Sequence, residues 1–140
     1  MLKNESIDKV LTTEVITVHT NQKLSYVNKI FTEKMIHHIP VLDGKIPIGI
    51  ISTADIYKLI HNIDEHDNRD VDVMLDRDFK IEDIMSKDLV TLPLSSTIKD
   101  VASLLQVSTR HSIIITNQDG EFAGIITSTD LIKYLFNKIF

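Results

Sequence analysis

Gly124-Ile125-Ile126-Thr127-Ser128-Thr129-Asp130 nearly repeats an earlier stretch of the chain, Gly49-Ile50-Ile51-Ser52-Thr53-Ala54-Asp55. In each stretch a glycine opens a pair of β-branched residues typical of a strand, and small polar residues follow. An apolar pattern with helical spacing begins directly after the aspartate. Each stretch therefore predicts a strand that runs straight into the N-terminus of a helix.

The polar residues at such a junction have two possible roles. The first N–H groups of a helix lack intrahelical partners and the helix dipole adds partial positive charge, so the junction suits an anion such as a phosphate. Ser52-x-x-Asp55 and Thr127-x-x-Asp130 also match a capping box, in which both side chains only satisfy the helix's own N–H groups. The sequence predicts the junction and leaves both roles open.

The similarity extends well beyond this motif. Ile81-Glu82-Asp83-Ile84-Met85 lies 74 positions after Ile7-Asp8-Lys9-Val10-Leu11, and Leu89-Val90-Thr91-Leu92 lies 74 positions after Val15-Ile16-Thr17-Val18. At the motif the offset becomes 75, because one residue is added near the second hairpin. The chain is therefore built from two copies of one unit.

Each copy predicts a leading helix followed by the order β-α-β-β-α. The first strands are expected at Val15–Val18 and Leu89–Leu92, and Pro40 is expected near the start of its strand or on an edge. One copy is too small to bury its sheet alone. We therefore expect an α+β fold in which two β-α-β-β-α repeats pack about a pseudo-two-fold axis.

The proposed domain boundaries follow the duplication. They are 6–63 for the first repeat, 64–79 for an acidic linker and 80–136 for the second repeat. His61, Asp64 and His66 could be drawn as metal ligands, but a solvated connector explains them better, since no metal-site spacing recurs.

Composition excludes several classes of function. A net charge of −5 argues against broad binding of nucleic acid or of an anionic membrane, because both need a positive field. The lack of cysteine excludes disulfides, thiol catalysis and thiolate metal sites. No signal-peptide pattern is present, and no apolar run approaches the ~20 residues that span a bilayer. We expect a cytoplasmic protein.

With these features, the chain resembles a tandem pair of cystathionine-β-synthase (CBS) domains, often called a Bateman module, over about residues 6 to 136. The resemblance rests on Val90-Thr91-Leu92-Pro93, on Ile39-Pro40-Val41-Leu42-Asp43, and on both Gly-Ile-Ile-[Ser/Thr]-x-x-Asp stretches in the expected order. It implies a non-catalytic regulatory module that binds adenine nucleotides or adenosyl ligands in two clefts between the repeats.

The resemblance also implies particular contacts. The motif aspartates, Asp55 and Asp130, would accept hydrogen bonds from ribose hydroxyls. The matching basic positions ahead of the second strands are His37 and His111, which would face phosphate. Hydroxyl groups beside the phosphate or ribose would come from Ser52, Thr53, Thr127, Ser128 and Thr129. The base would lie against backbone and apolar groups near Ile16, Ile36, Ile50, Val90, Arg110 and Ile125.

One departure from the family pattern bears on the ligand. Many members carry arginine just before the motif aspartate, where this chain has Ala54 and Thr129. The case for a polyphosphate is therefore weaker, and an AMP-like ligand is favoured. ADP, ATP, a cyclic dinucleotide and S-adenosylmethionine are the alternatives. Because Ala54 lacks a hydroxyl, we expect the junction of Asp130 to bind more tightly than that of Asp55.

Alternative functions are a structural or dimerising module with degenerate pockets, and a hydrolase. The hydrolase is weak: six histidines supply bases, but no nucleophile elbow or metal motif is present. A regulated protein partner and a homodimer are further expectations from the resemblance. The candidate dimer surfaces are the stripes Ile56/Leu59/Ile63 and Leu131/Leu135/Ile139, with burial inside the molecule as the simpler explanation for part of each.

Overall fold

The computed structural model describes residues 4–62, 70–107 and 111–140. After a short 3₁₀ turn at Ile7–Lys9, the helices are α1 (Leu24–Glu33), α2 (Thr53–His61), α3 (Val71–Asp78), α4 (Ile81–Ile84), α5 (Ile98–Val107) and α6 (Ser128–Ile139). The strands are β1 (Val18–His19), β2 (His38–Asp43), β3 (Ile46–Ser52), β4 (Thr91–Pro93), β5 (Ser112–Thr116) and β6 (Phe122–Thr127). The predicted order β-α-β-β-α is confirmed in both repeats.

The chain folds into two compact units. The first unit comprises residues 16–88, and the second comprises residues 89–140 together with the N-terminal segment up to residue 15. Each unit contains one three-stranded mixed sheet, in the order β1-β2-β3 or β4-β5-β6. The first strand of each sheet pairs parallel with the second, and the second pairs antiparallel with the third. The predicted α+β class is confirmed.

The first strands begin later than predicted, at Val18 and Thr91. Pro40 explains why β1 is the shorter of the two. In the second unit, the N–H of Ile114 donates to the carbonyl of Val90 at 2.9 Å. Pro40 occupies the position equivalent to Ile114 and has no N–H, so it cannot make the corresponding bond to Ile16. The missing donor is tolerated because β1 pairs with β2 only from Val41 onward.

Each unit has its own apolar core. In the first unit, Val27 of α1, Ile51 of β3 and Leu75 of α3 are all fully buried in one cluster. In the second unit, the corresponding cluster includes Val101 of α5 and Ile126 of β6. Apolar stripes on the helices pack against one face of each sheet, which is how amphipathic helices and a half-buried sheet stabilise one another.

Two segments, which we call arms, precede the first strands and cross over between the repeats. The first arm (residues 4–15) belongs to the second unit, and the second arm (residues 71–88) belongs to the first unit. Ile7 of the first arm and Ile81 of the second are fully buried in those cores. Each unit therefore combines the sheet of one repeat with the leading segment of the other repeat.

Each arm also adds a single antiparallel bridge to the outer edge of the motif strand. Thr12 exchanges two backbone hydrogen bonds of 3.0 Å with Ile125, and Ser86 exchanges bonds of 2.9 and 3.0 Å with Ile50. A Cβ atom at Gly124 would lie 2.6 Å from the carbonyl oxygen of Thr12. The glycine that opens the motif is therefore required by the close approach of the arm.

The second arm also caps a helix of the first unit. Lys23, at the N-cap of α1, makes no side-chain capping bond. Asp76 of α3 supplies the cap instead, because its carboxylate accepts from the N–H of Ser25 at 2.9 Å and from the Ser25 hydroxyl at 2.6 Å. Of the predicted linker, residues 71–78 form this helix, and residues 64–69 lie outside the described ranges.

The predicted dimer stripes are partly wrong. Ile56 is fully buried and Leu131 is 8% exposed, because both face the core of their own unit, while Ile63 lies outside the described residues. The apolar residues that α6 does expose are Ile132, Phe136 and Ile139, each more than 60% exposed.

Candidate functional site

The junction of the first unit contains a complete capping box. Ser52 is the N-cap of α2, and its hydroxyl accepts from the N–H of Asp55 at 3.2 Å. In return, Oδ2 of Asp55 accepts from the N–H of Ser52 at 2.8 Å. Both side chains are half-buried. Capping is therefore one established role of this pair.

The junction of the second unit repeats this geometry. The Thr127 hydroxyl accepts from the N–H of Asp130 at 3.2 Å, and Oδ2 of Asp130 accepts from the N–H of Thr127 at 2.9 Å. Both side chains are again half-buried. The two junctions are structurally equivalent, as the duplication predicts.

Each predicted histidine lies at its junction, where its backbone carbonyl makes a hydrogen bond to the start of the helix. The carbonyl of His37 accepts from the N–H of Thr53 at 3.0 Å, and the carbonyl of His111 accepts from the N–H of Ser128 at 2.9 Å. Both histidines are exposed. Each carbonyl therefore fixes its histidine beside the first turn of the following helix.

These bonds leave few helix N–H groups for an anion. Of the four N–H groups at the start of α2, those of Ser52, Thr53 and Asp55 bond to Asp55, His37 and Ser52 respectively. The fourth belongs to Ala54, and no acceptor for it lies in the described ranges. The first unit itself thus occupies three of these four N–H groups, in agreement with the capping interpretation of the motif.

The two motif aspartates can accept further hydrogen bonds besides those of the capping boxes. In the part of the chain that the structure describes, no donor bonds to Oδ1 of Asp55 or to Oδ1 of Asp130. A carboxylate accepts hydrogen bonds at both of its oxygens. The capping role and a ligand-binding role, which the sequence presented as alternatives, are thus compatible in one side chain.

The apolar candidates divide into two groups. Ile50 and Ile125 lie on the motif strands with 8% and 7% exposure, and their backbone groups are already bonded to the arms. Ile36 and Val90 are half-buried and Ile16 is 36% exposed, so these three have surface to offer a base. Arg110 lies outside the described residues.

The pairing of the arms with the motif strands was not predicted from the sequence. Thr12 and Ser86 fix the backbone two residues before each N-cap. The sequence does show that Thr12 and Ser86 are equivalent, because they are separated by the 74-residue offset of the repeats. That offset shows equivalence and does not show which sheet each arm joins.

The described residues hold no group of three or more histidine, cysteine, aspartate or glutamate side chains placed to bind a metal. Of the possible metal ligands His61, Asp64 and His66, the last two lie outside the described ranges. Two open grooves of about 440 and 570 Å³ lie in the first unit, beside Asn21–Lys23 at the start of α1. Neither groove includes a motif residue, so the grooves and the junctions are separate features.

Comparison with known families assigns the chain. The CBS domain matches twice, over residues 7–62 and 81–137, and each match contains one junction. The chain belongs to the CBS domain family. Its two CBS repeats thus account for the duplication, and the resemblance inferred from the motifs is confirmed.

The chain is also similar to one curated relative and to two solved structures. The uncharacterized protein MJ1232 of Methanocaldococcus jannaschii is 28% identical over 98% of the chain, which spans 42% of that relative's length. The CBS domain pair of protein MJ0100, solved with 5′-methylthioadenosine and S-adenosyl-L-methionine, has a TM-score of 0.73 and 25% identity over 94% of this chain and 98% of that one. CBSX2, solved with AMP, has a TM-score of 0.78 and 17% identity over 96% and 98%.

No helix in the described ranges has the length and apolar character needed to cross a membrane.

Proposed function

We propose that this CBS pair is a non-catalytic regulatory module that binds the adenosyl part of a small molecule at its two junctions. The proposal rests on Asp55 and Asp130: each uses Oδ2 in a capping box, and no donor in the described residues bonds to its Oδ1. Ribose hydroxyls are suitable donors to such an oxygen.

Other features of each junction support an adenosyl ligand. The exposed His37 and His111 lie beside the motif, and the half-buried Ile36 and Val90 offer apolar surface for a base. Adenosyl compounds bind the CBS pair of MJ0100, which has the same fold, and AMP binds CBSX2. We infer a ligand of this class for the present chain.

Regulation requires that the ligand distinguish two states. A ligand shifts a conformational equilibrium only by the difference between its affinities for the two arrangements. We propose that ligand binding changes the state of the module and that a protein partner responds to it.

A thermal-shift series tests ligand binding. Wild-type protein is heated with adenosine, 5′-methylthioadenosine, S-adenosylmethionine, AMP, ADP, ATP and a cyclic dinucleotide over a range of concentrations. Binding to the native state stabilises it by about 2.7 kcal/mol at a ligand concentration of 100 Kd, so Tm should rise with concentration for at least one compound. Guanosine and cytidine serve as controls for base selectivity.

The structural alternative also has an observation in its favour, because capping boxes alone explain the motif residues. Tm values that stay constant at millimolar concentrations of every adenosyl compound would support a structural module and contradict the proposed function.

We also propose a homodimer that pairs through the exposed stripe of α6, formed by Ile132, Phe136 and Ile139. A charge in this stripe would oppose its burial. Light scattering at micromolar concentrations should give the dimer mass for wild type and the monomer mass for Phe136→Glu. A monomer mass for wild type throughout that range would contradict the proposal.

A further inference from the structure

We propose that the first arm (residues 4–15) also docks on the second unit of another copy of this chain, so that two copies exchange arms and form a dimer. The interaction surface is the part of the second unit that the arm covers, and the partner is the same arm of a second copy. This inference depends neither on ligand binding nor on the exposed stripe of α6.

The contacts that hold the arm do not require it to belong to the same chain. Ile7 is fully buried and Val10 is 6% exposed in the core of the second unit. The carbonyl of Glu5 accepts from the N–H of Ile98 at 2.8 Å, and its carboxylate accepts from the ammonium of Lys138 at 2.8 Å. An arm from a second copy would make the same contacts, which is why exchange of an identical element costs little.

The segment that joins the arm to β1, which we call the hinge (residues 13–17), is suited to extend. It contains no helix or strand, and its one backbone hydrogen bond among the described residues lies within the hinge itself. Residues 15–17 are all β-branched and favour an extended backbone. Nothing holds the hinge to the neighbouring strand, because Pro40 cannot donate to the carbonyl of Ile16, whereas the equivalent carbonyl of Val90 is bonded.

These features single out the first arm for exchange. Ile16 of its hinge is 36% exposed, so extension of the hinge breaks little packing. Ile7 and Val10 must leave the core before the arm can change partners, so exchange is expected during folding and not between folded molecules. The second arm leads instead into a strand that is paired from Val90 onward.

The protein concentration decides between the two forms. A segment on a short flexible linker has an effective concentration on the order of millimolar at its own site. The arm makes the same contacts within one chain and between two chains, so the second chain competes only near that concentration. We therefore expect no exchange at about 1 μM and substantial exchange at about 1 mM.

Two single-cysteine variants test the exchange, because the chain has no cysteine of its own. Ser6 of the arm and Thr97 at the start of α5 form an antiparallel bridge, which brings two residues within the reach of a disulfide. One variant carries Ser6→Cys and the other carries Thr97→Cys, both with Phe136→Glu to remove pairing through α6. The two are mixed in urea, refolded together at about 1 μM or about 1 mM, and oxidised. Mass spectrometry of the digested protein then measures the disulfide that joins the two substituted positions of different chains.

Ser103→Cys in place of Thr97→Cys measures random collision, because Ser103 is exposed further along α5. At about 1 mM the yield with Thr97→Cys should exceed that of this control about ten-fold, and at about 1 μM the two yields should be equal. The double variant Ser6→Cys/Thr97→Cys, folded at about 1 μM, should form its disulfide within one chain.

Two results would overturn the inference. In the first, the double variant forms its disulfide, but the yield between chains at about 1 mM does not exceed the control. In the second, the double variant forms no disulfide, which would mean that the arm does not occupy the second unit as described.

Discussion

At the scale of single residues, the motif aspartates combine two tasks. Oδ2 of Asp55 and of Asp130 closes a capping box, and Oδ1 of each is proposed to face a ligand. The sequence predicted both roles but could not combine them, because a spacing identifies which groups are neighbours and does not say which oxygen each partner takes. The histidines show the same limit: their position was predicted, and the use of their carbonyl groups was not.

The two junctions should differ in affinity, with the junction of Asp130 the tighter. Thr129 adds a hydroxyl where the other junction has Ala54, and one hydrogen bond to a charged group is worth about 1.5–3 kcal/mol. With AMP as ligand, Asp130→Ala should remove the high-affinity phase of a calorimetric titration, and Asp55→Ala should leave it. The ranking is wrong if the two variants show the reverse pattern.

Glu5 gives a pH-dependent prediction. Its carboxylate accepts from the ammonium of Lys138 at 2.8 Å, and this hydrogen bond lowers the pKa of Glu5 against the opposing effect of partial burial. A carboxyl group with a lowered folded-state pKa stabilises the protein at pH values above its unfolded-state pKa, and it loses that stabilisation as pH falls through the folded-state pKa.

Urea unfolding of wild type and Glu5→Gln at pH 7 and at pH 3.5 checks this expectation. The wild type should be the more stable at pH 7, by a small amount because Lys138 is 43% exposed, and the difference should shrink at pH 3.5. A difference that is equal at the two pH values would show that charge does not contribute.

At the scale of elements, the arm of each repeat pairs with the motif strand of the other repeat. Both arms approach the first glycine of the motif closely, but through different atoms: the carbonyl of Thr12 lies opposite Gly124, and the flexible side chain of Met85 lies opposite Gly49. A backbone atom cannot move aside as a side chain can.

Gly124→Ala should therefore destabilise the protein by about 1–3 kcal/mol, as overpacking does, and Gly49→Ala should cost clearly less. Urea unfolding of both variants makes the comparison, and each serves as the control for the other because both replace the first residue of the same motif. Equal losses would mean that the arm of the second unit is free to shift away from β6.

At the scale of the whole molecule, most of the fold was predictable and the membership of the arms was not. The duplication gave the order of all helices and strands, because strand and helix patterns recur at one offset. Ile7 and Ile81 are equivalent in that pattern, so either arm had the apolar spacing to join either core. Pro40 shows a similar limit of prediction from sequence. The backbone hydrogen bond that this proline removes is recognised only from the structure, by the equivalent bond between Ile114 and Val90.

The most direct test of the account separates ligand binding from capping. Thr97 and Asp100 form a third capping box, at the start of α5, with bonds of 2.9 and 3.3 Å and no motif around it. Losing a cap costs about 1 kcal/mol, so Asp100→Ala and the double variant Asp55→Ala/Asp130→Ala should both unfold more easily. Calorimetric titration of 5′-methylthioadenosine into each variant, with folding checked by circular dichroism, is the measurement. The account predicts wild-type binding by Asp100→Ala and no binding by the double variant; wild-type binding by the double variant would contradict it.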